Sequence, residues 1–312
     1  MSSINTNVAA MTALQSLSHT NKMLTETQNH VSTGLRVSEA SDNAAYWSIA
    51  TTMRSDKSAL STVQDALGLG ASVVDVAYTA VNSAIDVVSE IKKKLVAAKE
   101  PGVDKTKIQT EITELQKQLS GIATSASFSG ENWLSVDSSA AGFTATKSIV
   151  ASFTRTGSSV SVQTIAIDTS AMDLFDANTA ATNAAAGILD ANRTTTGAID
   201  NTATTWSISN LSISATTTDS TLDSYISGAD AAMKEMTDVA SSLGAVKSRI
   251  DLQQNFAKSL MDALDRGIGA LVDADMNAES TRLQALQVQQ QLGIQALSIA
   301  NSSSQNILRL FQ

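Results

Sequence analysis

Apolar residues recur every three or four positions at both ends of the chain. This spacing predicts two long amphipathic helices, each with one apolar stripe. Neither stripe has a covering partner nearby in the sequence, so the two terminal helices are predicted to pair with each other. Long apolar helices at chain ends also suggest that other copies of the chain complete the burial. The front stripe is Ile4, Val8, Met11, Leu14, Leu17, Leu24, Val31 and Leu35, and the back stripe is Ala285, Val288, Leu292, Ala296, Ile299, Ile307 and Leu310.

Three internal segments have the same rhythm of apolar residues. The first covers residues 60–98 and stops at Glu100-Pro101-Gly102, a helix terminator followed by a turn. The second covers 108–126, and the short connection between the two predicts that they pack antiparallel. The third covers 232–274. Together the three segments predict a helical bundle.

The stretch from Val136 to about Thr221 has a different character, with many Ser, Thr, Ala and Asn residues and no long heptads. Short alternations of apolar and polar residues predict half-buried strands at 160–162, 165–167 and 206–208. A helix is predicted over 172–189. Such a composition fits either a small ordered domain or a flexible segment, and the alternations favour order.

The predicted fold is therefore mainly α, with long N- and C-terminal helices that pair in an antiparallel coiled coil, a helical bundle, and a small α+β insertion domain. Residues 1–40 with 275–312 are predicted to form the terminal coiled-coil domain. Residues 41–135 with 225–274 form the bundle domain, and residues 136–224 form the insertion.

Composition excludes several classes of protein. The 312 residues include no cysteine, so disulfides and thiolate zinc sites are ruled out, and a single proline leaves long helices possible. The formal net charge of −9 argues against a general binder of nucleic acid or anionic membranes. Residues 1–7 lack a positive region followed by an apolar run, so no Sec signal peptide is predicted.

No set of residues predicts catalysis, a cofactor or a metal site. His19 and His30, the only histidines, are eleven positions apart, too far for a zinc hydrolase motif, and both are predicted to lie on the polar side of the first helix. Residues 273–277 resemble the opening of a calcium loop. However, Ala278 and Gln284 stand where such a loop needs a glycine and a bidentate acid.

Residues Ser32–Ala45, with the sequence STGLRVSEASDNAA, resemble a signature of bacterial flagellins. The similarity extends over about residues 1–135 and 225–312, and the middle of the chain corresponds to the variable outer domain of that family. Four other similar segments are Ile4–Asn7, Phe128–Gly130, Leu243–Arg249 and Gln291–Leu310.

The resemblance implies a structural subunit that is exported unfolded by the flagellar type III system and self-polymerises into the extracellular filament used for swimming. It implies an export chaperone, the filament cap, hook-filament junction proteins and sibling flagellins as partners, and no nucleic acid or membrane. The residues then assigned to self-assembly are Ile4, Val8, Met11, Leu14, Leu17, Leu24, Val31, Leu35, Val288, Leu292, Ile299, Ile307, Leu308, Leu310 and Phe311.

The chain departs from the family pattern in two segments that host receptors read. Tyr46-Trp47 stands where the family usually has Gly-Leu, and Ser41 stands where Lys is common. Glu90 replaces the usual first arginine of the segment sensed by the vertebrate receptor. These differences predict weak recognition by plant and vertebrate receptors.

Three alternatives remain open at this point. A hook-filament junction protein has the same terminal helices but is present in few copies. A flagellin-like enzyme would need clustered His and Glu in the variable region, and residues 136–225 contain no histidine. A soluble coiled-coil adaptor would stay monomeric when seeded.

Overall fold

The computed structural model describes residues 7–157, 159–177, 187–199 and 206–310, the last eight of these for the backbone only. The described residues form five long helices and six strands, so the prediction of a mainly α fold is confirmed. The helices are α1 (Val8–Thr33), α2 (Ala44–Ala97), α3 (Lys105–Ser125), α4 (Asp219–Val272) and α5 (Met276–Leu310). The strands are β1 (Ser127–Phe128), β2 (Glu131–Asn132), β3 (Ser135–Val136), β4 (Thr146–Thr156), β5 (Ser159–Asp168) and β6 (Phe175–Asp176).

Polar caps and glycine fix the helix ends. The Asn7 carboxamide accepts a hydrogen bond from the Ala10 N–H at 3.0 Å, and Asn43 does the same for the first turn of α2. Gly34 ends α1 in the left-handed conformation, with φ of 72°, and its N–H donates to the His30 carbonyl. Helix α2 ends just before Pro101, as the sequence predicts.

The chain divides into two compact units, Met1–Ser58 with Met261–Gln312 and Ala59–Leu260. Helices α2 and α4 each contribute residues to both units. The three-domain division predicted from the sequence places its boundaries elsewhere and stays a prediction.

The core of the 59–260 unit is a helical bundle. The predicted seams supply it, with Leu67 and Leu95 of α2, Ile112 of α3 and Leu243 of α4 fully buried. Lys94 pairs with Glu111 at 2.7 Å near the α2–α3 turn, whereas Thr79 and Ile122 share a groove farther along, so α2 and α3 are antiparallel as predicted. Helix α2 is long and apolar enough to cross a membrane. Its buried seam in the bundle explains that apolar content.

The insertion contains an antiparallel ribbon of β4 and β5 and a short parallel pair of β3 and β6. Strand β5 includes both predicted strands at 160–162 and 165–167, which are thereby confirmed. At one end of the ribbon the side chains of Ile149, Ile165 and Ile167 are buried. An added Cβ at Gly70 of α2 would lie 2.5 Å from Ile149, so glycine allows the ribbon to approach this helix closely.

Two other predictions for the insertion are wrong. Residues 206–208 lead into a turn instead of a strand, because the Asn210 side chain accepts the Ser207 N–H at 2.7 Å and closes the chain locally. The helix over 172–189 is absent at 172–177 and 187–189, and the rest of it lies outside the described residues. Leu174 and Phe175 instead donate their N–H groups to the Leu134 carbonyl, which places 175–176 in β6.

Arg193 anchors the insertion to α4 from a fully buried position. Its guanidinium donates to Glu235 at 2.7 Å and to the carbonyls of Ile188 and Gly197 at 2.8 and 3.0 Å. Nothing in the sequence pattern around Arg193 indicates this role. The backbone at Gly197 lies so close to Ser227 that an added Cβ would be 2.6 Å from its carbonyl oxygen.

Three carboxylates lie near one another in the insertion. Burial, with a smaller contribution from neighbouring carboxylates, raises the pKa of Asp173 and of Asp190 from 3.8 to about 6. Asp176 is the neighbour that both share, and its N–H donates to Asp190 at 2.9 Å. The insertion therefore folds more readily with the carboxyl groups of Asp173 and Asp190 protonated.

The first prediction concerns the bundle core. Leu95→Ala should lower the free energy of unfolding by roughly 2–5 kcal/mol, because it removes a fully buried side chain and leaves a cavity. The adjacent Val96, which is 53% exposed, offers a matched control, and Val96→Ala should change stability little. Thermal unfolding of the two variants measures the difference. Similar losses in both would contradict the assigned seam.

The second prediction concerns pH. The pKa of Asp173 is about 6 in the folded chain and ordinarily 3.8. Its protonated carboxyl group therefore contributes fully to stability below pH 3.8, and this contribution is lost as pH rises through 6. The amide in Asp173→Asn does not titrate, so the stability of this variant relative to wild type should rise between pH 4 and pH 7.

Asp168→Asn is the control of opposite sign. Hydrogen bonds from Ser170 lower the pKa of Asp168, so this variant should lose stability relative to wild type as Asp168 ionises. Denaturant titrations at several pH values measure both differences. Parallel pH profiles for wild type and Asp173→Asn would rule out the assignment.

Candidate functional site

The candidate site is the antiparallel pair of α1 and α5 in the unit formed by the chain ends. Three contacts fix its register. The Asn7 side chain donates to the Ala300 carbonyl at 3.0 Å, and Gln290 donates to Asn21 at 2.7 Å. At the other end His30 Nδ1 lies 3.4 Å from Glu279 Oε1. The predicted pairing of the terminal helices is therefore confirmed.

The seam between the two helices consists mainly of small or polar residues. At Gly293 an added Cβ would lie 3.1 Å from the Leu17 side chain, so the helices approach closely there. Thr27 and Leu286 are the most buried residues in the seam. The less exposed positions recur in heptads: Ala10, Ala13, Leu17, Thr20, Leu24, Thr27 and Val31 on α1, and Glu279, Leu283, Leu286, Gln290, Gly293, Leu297 and Ala300 on α5.

Most of the predicted stripe residues point away from this seam. At about 100° per residue, they lie on the order of 130° around each helix from the seam residues. The expectation that the stripes cover each other is wrong for these residues, because the helices pair through a second face with the same spacing. The residues, all 55–69% exposed, are Val8, Met11, Leu14, Val288, Leu292 and Ile299.

The other residues of the stripes, together with the other residues assigned to assembly, fall into four groups. Leu17, Leu24 and Val31 are half-buried in the seam, and Ala285 and Ala296 are exposed. Leu35 is half-buried just after α1, where it forms a β-bridge with Asp273. The side chains assigned to assembly that lie outside the described residues are those of Ile4, Ile307, Leu308, Leu310 and Phe311.

The far half of the helix pair carries no full charge. Residues 1–21 and 283–308 contain no Asp, Glu, Lys or Arg. An exposed apolar stripe on an uncharged helix is suited to contact with another apolar surface. Contact through this surface would bury apolar side chains, with little contribution from ion pairs.

Histidine positions differ from the prediction at one point. His19 is exposed, as expected, but His30 is half-buried in the seam beside Glu279. Near the end of α1 the seam shifts around the helix toward the face that carries His30, which explains the difference. In the part of the chain that the structure describes, no three His, Asp or Glu residues are grouped to hold a metal ion.

The segment with the family signature forms the connection from α1 to α2. The Val272 carbonyl accepts hydrogen bonds from the Arg36 and Val37 N–H groups at 2.6 and 3.2 Å. Asp42 accepts the Ser38 and Glu39 N–H groups at 2.9 and 3.0 Å, and these bonds lower its pKa. A small core of Val37, Ala50, Ile268 and Val272 supports this connection.

The residues that depart from the family pattern are accessible. Ser41 is exposed and its hydroxyl donates to Glu39 at 3.2 Å. Tyr46 and Trp47 lie in the first turn of α2 and both are exposed. Glu90 is half-buried on α2 in the 59–260 unit and pairs with Lys93 at 3.1 Å.

Comparison with known proteins gives one consistent family. A model of the N-terminal helical region of bacterial flagellin matches residues 4–139, and a model of the C-terminal helical region matches residues 226–311. The chain is 55% identical to flagellin C of Rhizobium meliloti strain 1021 and 46% identical to flagellin A of Rhizobium meliloti. It is 47% identical to a flagellin of Brucella melitensis biotype 1. All three alignments cover 100% of both chains.

The third prediction separates the seam from the stripe on α5. Leu286 is 2% exposed, so Leu286→Ala should weaken the helix pair by roughly 2–5 kcal/mol and speed amide exchange along α1 and α5. Val288→Ala, two residues away on the exposed stripe, should leave exchange nearly unchanged. Equal effects of the two changes would show that the seam is assigned to the wrong face.

Proposed function

Because the chain belongs to the bacterial flagellin family, whose members are structural subunits of the flagellar filament, we propose that it polymerises through the exposed stripes of α1 and α5. The filament would convert motor rotation into thrust for swimming. One observation carries this proposal: six large apolar residues stay exposed on the uncharged faces of two paired helices. Burial against neighbouring copies removes this surface from water.

The free energies of apolar burial and of association support growth of the polymer from seeds. Full burial of a large apolar side chain stabilises by about 1.5–3 kcal/mol, so covering the remaining surface of six such residues contributes on the order of 5–10 kcal/mol. Association costs an estimated 4–15 kcal/mol of translational and rotational freedom. One stripe contact is therefore marginal by itself. An incoming subunit that meets several neighbours at a growing end gains much more.

The proposed polymer is open. The stripe on α1 differs in sequence from that on α5, and each lies on its own helix. In the proposed contact the α1 stripe of one copy packs against the α5 stripe of the next, whose own α1 stripe is left for a further copy, so the contact is heterologous. Repetition of such a contact without closure gives a helical tube.

We extend the proposal to the other properties that the family resemblance implies. Residues 1–40 with 275–312 form the terminal coiled-coil domain, 41–135 with 225–274 the surrounding helical domain, and 136–224 the outer domain. The subunit leaves the cell unfolded by the flagellar type III route and ends in the extracellular filament. A chain with no cysteine and one proline suits such a passage. An export chaperone, the filament cap and hook-filament junction proteins are its partners.

The hook-filament junction protein is the alternative. Identity of 44–55% to flagellins over the full chain favours a filament subunit. The amount of the protein in sheared cell-surface material distinguishes the two, because a junction protein contributes few copies to each filament.

The fourth prediction tests the stripe in assembly. Val288→Thr places a hydroxyl group in the proposed contact, at a cost of about 1–3 kcal/mol for a buried polar group without a partner. The concentration of subunit needed for polymerisation onto seeds should therefore rise about five- to hundredfold, with no change in thermal unfolding of the monomer.

Val162→Thr is the matched control, because Val162 of β5 is 57% exposed and Val288 is 55% exposed. This control should polymerise like wild type. If Val288→Thr also polymerises like wild type, the α5 stripe is not an assembly surface.

The fifth prediction concerns host receptors. Glu90 presents a carboxylate where the family resemblance implies an arginine fork, so activation of the vertebrate flagellin receptor should be weak. Glu90→Arg should increase activation in a reporter assay with monomeric protein. In a peptide of residues 29–50, restoring Lys at Ser41 and Gly-Leu at Tyr46-Trp47 should increase the plant response. Strong activation by the unchanged protein and peptide would contradict these assignments.

A further inference from the structure

The sulfur atoms of this chain belong entirely to methionine. The sequence has nine methionines and no cysteine, so thioethers are its readily oxidised sulfur groups. Among the described methionines, Met11 is 63% exposed and Met276 is 43% exposed. The others are half-buried or buried, including Met172 and Met236 in the core of the 59–260 unit. Of the described methionines, an oxidant in solution therefore reaches Met11 and Met276 first.

The two exposed methionines occupy different surroundings. Met11 lies at the centre of the α1 stripe, between Val8 and Leu14, in a segment without charged residues. Met276 is the first residue of α5 and lies outside the stripe of that helix. Oxidation at these two positions should therefore have different consequences.

We propose that Met11 is an oxidation site through which peroxides prevent a free subunit from joining the filament. This inference rests on the proposed function, because it requires the α1 stripe to be buried on assembly. The thioether sulfur attacks one peroxide oxygen, a sulfur–oxygen bond forms, and the oxygen–oxygen bond breaks. With hydrogen peroxide, the sulfur loses two electrons, the attacked oxygen passes its proton to the departing hydroxide, and that hydroxide leaves as water.

The chemical change opposes burial of the stripe. A sulfoxide is polar and carries a hydrogen-bond acceptor, whereas the thioether it replaces is apolar and flexible. The stripes of α1 and α5 offer no charged side chain to that oxygen. A subunit already in the filament would have Met11 covered, so the modification acts selectively on free subunits. Methionine sulfoxide reductases reverse it.

Peroxide treatment of purified monomer tests the inference. Wild type, Met11→Leu and Met276→Leu are oxidised, their sulfoxides are located by peptide mass spectrometry, and polymerisation onto untreated seeds is measured. Leucine preserves the size and apolar character of methionine. Relative to the same protein before treatment, the concentration needed for polymerisation should rise at least tenfold for wild type and Met276→Leu, and less than twofold for Met11→Leu. Treatment with the reductases should restore wild type.

Two further readings separate the possible failures. Circular dichroism of oxidised wild type should match that of untreated monomer, because Met11 is outside the seam; lost helicity would assign the inhibition to unfolding and overturn the proposal. Inhibition of Met11→Leu as strong as that of wild type, or normal polymerisation of protein oxidised at Met11, would also overturn it. Untreated protein that fails to grow on seeds would instead contradict the proposed function.

Discussion

The close approach of α1 and α5 determines which face of each terminal helix is buried within the subunit. Alanine, threonine and glycine occupy much of the seam, and at Gly293 the neighbouring Leu17 leaves room for little more than a hydrogen. Leu17 fits into the seam opposite Gly293, whereas Leu292 lies on the outer face and is 58% exposed. The terminal helices therefore pair through one face within the subunit, and the proposed association between subunits uses another face of the same two helices.

The helical bundle, in contrast, buries its large apolar side chains within the subunit. In α2 the heptad positions carry large side chains such as Leu67 and Ile91, and these are fully buried within the subunit. Most of the stability of the folded chain is expected there, where apolar contacts are complete without a partner. Among the described residues, the terminal pair keeps apolar surface exposed, and the proposed filament contacts would cover it.

Periodicity predicted the helices well because each buried face requires a residue every three or four positions. It placed the C-terminal end of α2 and the two segments that make up β5 correctly, and it predicted the pairing of α1 with α5, but it began the second helix at residue 60 instead of Ala44. It could not choose between two apolar faces with the same spacing, so it assigned Val8 and Val288 to the wrong contact. The apolar pattern at 206–208 is equally compatible with a loop, and a side chain–backbone bond from Asn210 decided the outcome.

Residues that act through long-range contacts were missed for a different reason. Arg193 reads as an ordinary polar residue of a Ser/Thr-rich segment, yet it is buried against Glu235 forty-two positions away. His30 reads as an exposed residue, yet it faces Glu279 across the seam. Such roles depend on which distant residue the fold brings near, and the local spacing of apolar residues does not indicate that partner.

Accessibility of the stripe before and after polymerisation shows whether neighbouring subunits cover it. Because the natural chain has no cysteine, a single cysteine in Leu292→Cys can be labelled with a maleimide in the monomer and in the assembled filament, with Val162→Cys as the exposed reference. If the stripe is buried on assembly, positions 292 and 162 should both be labelled rapidly in the monomer, and position 292 alone should be strongly protected in the filament. Equal labelling of the two positions in the filament would contradict burial of the stripe.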